Sequence, residues 1–65
     1  MTDNQRALVK SIVEGGTTPA IVTYLVPLAK NDEELRNELI KAVVKRLTNG
    51  VSNSEAWATA LLPLL

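Results

Sequence analysis

The chain has no histidine and no cysteine. Serine–histidine triads, thiol nucleophiles and the commonest zinc sites are therefore excluded from the outset. What remains for chemistry is a short set of hydroxyls, carboxylates and cations. Ser52 and Ser54 stand just before an apolar helical pattern, where hydroxyls act as helix caps rather than nucleophiles. Asp32, Glu33 and Glu34 supply the oxygen ligands a hard cation needs, but consecutive helical residues point in different directions. Their position at a helix start, at the positive end of the dipole, accounts for them without a metal. Gly15-Gly16-Thr17-Thr18 has the composition of an anion-binding loop. No lysine follows at the P-loop position and no strand precedes it, so it reads as a junction between helices. No cofactor, no metal and no enzymatic activity are expected.

The element around which the rest is organised is a helix drawn from the stretch Asn31–Gly50. Asn31 and Glu34 have capping-box spacing, acids fill the first turn, and Lys41, Lys45 and Arg46 fill the end. Asn49-Gly50 then offers a residue that can turn left-handed and stop the helix. Three further helices follow from similar signals. Thr2 and Gln5 can cap a helix over residues 3–14, which Gly15-Gly16 ends. Thr18 and Pro19 suit the cap and first position of a second helix, Ala20–Val26, which is apolar nearly all round and which Pro27 should end or kink. Ser52 and Glu55 repeat the capping-box spacing before a fourth helix through Ala56–Leu62, with Pro63 near its end. No alternating run bounded by hairpin turns competes with this reading.

The second half echoes the first. Leu8-Val9-Lys10-Ser11-Ile12-Val13 aligns with Leu39-Ile40-Lys41-Ala42-Val43-Val44, and Ala20-x-x-Thr23-x-Leu25-x-Pro27-Leu28 aligns with Ala56-x-x-Thr59-x-Leu61-x-Pro63-Leu64. Self-similarity at roughly 30–36 residues is the signature of helical-hairpin duplication. The expected fold is all-α: a compact four-helix bundle of two consecutive hairpins, as an internal duplication about a pseudo-twofold axis would give. Chance similarity between short apolar helices is the competing explanation. The 65 residues allow a single domain, 1–65.

Size then directs the functional reading. A chain this short buries only about 60% of its unfolded surface, and small domains usually add disulfides, a metal or a partner. With the first two excluded, the apolar surface is expected to exceed what four short helices can cover, which points to self-association as a homodimer. On a helical wheel the apolar residues of the central helix span roughly 200°, about twice what one-sided burial needs. Burial between the other three helices is one explanation; contact with a second chain is the other. Arg36 and Arg46 fall inside that arc, and arginine is the charged residue that interfaces enrich. The candidate interface is Arg36, Leu39, Ile40, Val43, Arg46 and Leu47 on the central helix, with Trp57, Leu61, Leu64 and Leu65 near the C-terminal end. Trp57 and Tyr24, on apolar helices, are read first as core residues.

Seven basic and seven acidic side chains cancel. There is no net field toward nucleic acid or an anionic membrane, and neither is expected as a partner. A small DNA-binding regulator is the main alternative, and the nearly uncharged second and fourth helices weigh against it. Membrane activity through Leu61-Leu62-Pro63-Leu64-Leu65 lacks the usual cationic face. The polar, acidic start Met1-Thr2-Asp3-Asn4 does not read as a secretion signal, and a cysteine-free chain suits the cytoplasm. The sequence therefore points to a cytoplasmic, non-enzymatic protein-interaction or scaffold module.

Overall fold

The computed structural model describes residues 1–65. Helix α1, Asp3–Glu14, starts at a complete capping box. Thr2 Oγ1 accepts the Gln5 N–H at 3.1 Å, and Gln5 Oε1 accepts the Thr2 N–H at 2.9 Å. At its other end Gly15 turns left-handed at φ 81°. The Gly16 N–H donates to the Ser11 carbonyl at 2.9 Å and the Gly15 N–H to that of Ile12 at 3.4 Å. These paired bonds form a Schellman stop, which favours glycine because other residues cannot turn left-handed without strain.

Helix α2 spans Ala20–Ala29. Pro19 already has helical dihedrals, as a first-position proline should, but no side chain caps this start. Pro27 neither ends nor breaks the helix, which runs two residues past it. It does remove the N–H that would have bonded the Thr23 carbonyl.

Helix α3, Glu33–Thr48, is capped one residue later than the sequence implied. Asp32 takes the role assigned to Asn31: its Oδ1 accepts the Leu35 N–H at 3.1 Å. Glu34, the expected partner in the box, is instead drawn to the amine of Met1 at 2.7 Å. At the far end Gly50, at φ 80°, supplies the left-handed residue. Helix α4, Ser54–Leu61, has Asn53 at its N-cap with no side-chain cap bond, so the Ser52–Glu55 box does not form. It tightens into a 3₁₀ turn, Leu62–Leu64, where Pro63 cannot donate to the Thr59 carbonyl and the Leu62 N–H takes that place.

Helix α3 occupies the middle of this all-α four-helix bundle. It packs against α1 on one side and against α2 and α4 on the other, while α2 and α4 also touch. The most extensive pairing is between the echoed elements α1 and α3, whereas α2 and α4 each pack on α3 at least as much as on one another. Twelve residues are buried and all twelve are apolar. Leu35, Leu39 and Val43 of α3 meet Ile12, Val22, Leu25 and Trp57, each with essentially no exposure. Burying one such leucine contributes about 1.5–3 kcal/mol, a large share of a small domain's stability.

The accessible surface is 3979 Å², against about 4,000 Å² for a monomer of this mass. The radius of gyration is 10.4 Å, against about 11 Å for 65 residues. The four helices cover an ordinary share of the total surface. Total area is that of an ordinary monomer, so any case for a partner must come from where the exposed residues lie. Leu39→Ala should cost about 2–5 kcal/mol by creating a cavity at the centre of α3, read as a lower urea midpoint with unchanged m-value.

Candidate interaction surface

The residues proposed from the sequence divide sharply. Leu39 and Val43 have no exposure, and Trp57 and Leu61 are buried with them. These four serve the chain's own core and cannot face a partner, because α1, α2 and α4 between them cover the inner part of the wide arc on α3. Ile40, Leu47 and Leu64 pack partly against the core, Arg36 is half-buried, and Leu65 is open at 76% exposure.

Arg46 turns the other way from the role assigned to it. A Cβ built on Gly15 would lie 2.9 Å from Arg46 Nη1, so the guanidinium sits over the C-terminal end of α1. Its Nε is buried without a hydrogen-bond partner. Helix α1 has no basic residue in its own last turn. Arg46 brings the missing positive charge to that negative dipole end from a neighbouring helix. It links two helices within the chain.

Residues outside the candidate interface stand out on the surface. Tyr24, expected in the core, is 61% exposed, and Leu62 is 62% exposed; Leu28 and Val44 are also open. Tyr24 and Leu28 lie on α2, and Leu62 follows α4. An open groove of about 1070 Å³ runs between these two helices. Its walls are the echoed small residues, Ala20, Thr23 and Pro27 on one side and Ala56, Thr59 and Pro63 on the other. Their shared i, i+3, i+7 spacing puts each trio on a single helix face. The alignment of Thr and Pro in the two halves was therefore the available signal for this groove, although periodicity alone could not say that both faces look outward.

Charge is divided as sharply as burial. Helix α1 carries four charged residues and α3 seven, whereas α2 carries none and α4 with its 3₁₀ turn carries only Glu55. Lys30 and Glu55 are the sole charged residues lining the α2/α4 groove. A smaller groove of about 450 Å³ between α1 and α3 has the opposite character, with Arg6, Lys10, Lys41 and Lys45 facing Glu38. No three acidic side chains gather into a cation-binding group. With every buried residue apolar, no acidic or nucleophilic side chain is enclosed in the core. No helix is long and apolar enough to cross a membrane.

The one perturbed carboxyl is that of Glu34, held below the usual glutamate range. The hydrogen bond from the Met1 amine is the main cause, followed by the charge of that amine and then by Arg6, whose Nη2 lies 3.7 Å away. A carboxyl that binds protons less readily when folded adds stability above its unfolded pKa of about 4.3 and loses that contribution as pH falls through its lower folded value. Glu34→Gln should therefore melt below the parent at pH 7, with the two curves converging in strong acid. An undiminished gap in acid would show that the ion pair is not its source. No protein-family model matches the chain, and no curated protein or solved structure is significantly similar to it.

Proposed function

We propose that this chain is a non-enzymatic protein-interaction module that self-associates through its α2/α4 face and works in the cytoplasm. The observation that carries the reading is the division of charge. A twofold interface sets the same patch of each copy against the other, so charges near its centre meet their own kind. The α1/α3 side would incur that repulsion from its lysines, whereas α2 has no charged residue at all. Interface centres are depleted in charge and enriched in aromatic residues, and here Tyr24 stands open on the uncharged face. A standard interface takes about 800 Å² from each partner. That is about one fifth of the 3979 Å² surface, within reach of one broad side of a body measuring 29 × 22 × 17 Å.

The half-exposed margin of α3, with Ile40, Val44 and Leu47, keeps a lesser part in this reading, since α3 is charged along its open side. A second reading, a small regulator on DNA, draws on the basic groove between α1 and α3. Glu38 within that groove and Glu34 beside Arg6 oppose it. A salt-dependent gel shift of random duplex would favour DNA over self-association.

Light scattering across a concentration series tests the main proposal. A mass near twice 7.0 kDa is expected as concentration rises. Thr23→Arg places a long charged side chain at the exposed wall of the groove and should return the protein to a monomer without lowering its helicity.

A further inference from the structure

We infer that the two copies meet with α2 antiparallel to α2 of the second copy, so that Lys30 of each copy faces Glu55 of the other. The inference rests on the self-association proposed above and specifies its register. Lys30 follows α2 directly and joins the N-terminal end of α3 through Asn31 and Asp32. Glu55 is the second residue of α4 and joins the C-terminal end of α3 through residues 49–53. With 16 residues, α3 is about 24 Å long, and it sets these two charges toward opposite ends of the groove they both line. They form no ion pair with each other or with any other residue of the chain.

Two twofold axes would bring this face against itself. An axis along the helices keeps their direction and leaves each Lys30 over the far end of the other copy's α4, beside Pro63. An axis across the helices reverses direction and carries the Lys30 end of one copy to the Glu55 end of the other, twice over. Only the second arrangement gives both lone charges an opposite partner, and it also sets the facing helix dipoles antiparallel, the favourable order side by side.

The experiment is a charge swap measured by sedimentation equilibrium on the full chain, with helicity followed by circular dichroism. Lys30→Glu and Glu55→Lys each turn two attractions per dimer into two repulsions, and each should weaken dimerisation by about tenfold. Joining the two substitutions restores both pairs with reversed sign and should return the dissociation constant to within about threefold of the parent. Effects on helix dipoles would instead accumulate, since either reversal is unfavourable at its own helix end. A parent dimer indifferent to both single reversals overturns this register and leaves self-association standing, as does a double variant weaker than either single one. A parent that stays monomeric at millimolar concentration overturns both.

Discussion

Everything else in the fold depends on enclosing the inner stripe of α3. Leu35, Leu39 and Val43 reach essentially zero exposure only because three separate helices close over them, α1 from one side and α2 with α4 from the other. A single neighbour covers an arc of roughly 100° on a helix. An apolar arc twice that width needs neighbours on two sides, so the width of the arc calls for the layered arrangement. Without disulfides or metal, this burial is the main favourable contribution available against chain entropy.

That requirement explains which parts of the fold were legible in the sequence. The start and stop of α1 could be read closely, because Thr2, Gln5 and Gly15 act on neighbours within four residues. The cap of α3 could be read only to within one residue. Asn31 and Asp32 are both competent caps, and Glu34, which should have decided between them, was drawn away by an amine 33 residues distant. At α4 a correct motif, Ser52 with Glu55, lost to a turn that put Asn53 at the boundary. At α3 a local preference was overruled by a contact from elsewhere in the chain, whereas at α4 one local preference gave way to another.

The surface was less legible than the core for a related reason. Periodicity tells which residues share a helix face, but not which of two apolar faces a neighbour will cover. On α3 the sequence reading assigned Leu39 and Val43 outward when they point in. On α2, apolar nearly all round, it assigned Tyr24 inward when it points out. Arg46 shows the same ambiguity, since an arginine within an apolar arc serves an interface or a neighbouring helix end equally well, and here it serves the end of α1. The Thr and Pro matches between the halves carried more spatial information, because residues at the same i, i+3, i+7 spacing share one face of their helix. Those faces line one groove.

The separation of charge completes the physical argument. Helix α3 has to be amphipathic, because one side is enclosed and the other faces water, and α1 beside it is likewise charged on its open side. Helices α2 and α4 have open sides too, yet apart from Glu55 theirs carry only uncharged residues, mostly alanine, threonine, proline, tyrosine and leucine. Stability of the monomer does not call for this: lysine or glutamate at Ala20, Thr23, Ala58 or Thr59 would sit in water at little cost, and helix propensity would favour it over threonine. Total area does not call for a partner either. Between Lys30 and Glu55 toward its two ends, the face lacks charge where charge would cost little, and burial against a similarly uncharged surface is the circumstance in which that becomes an advantage.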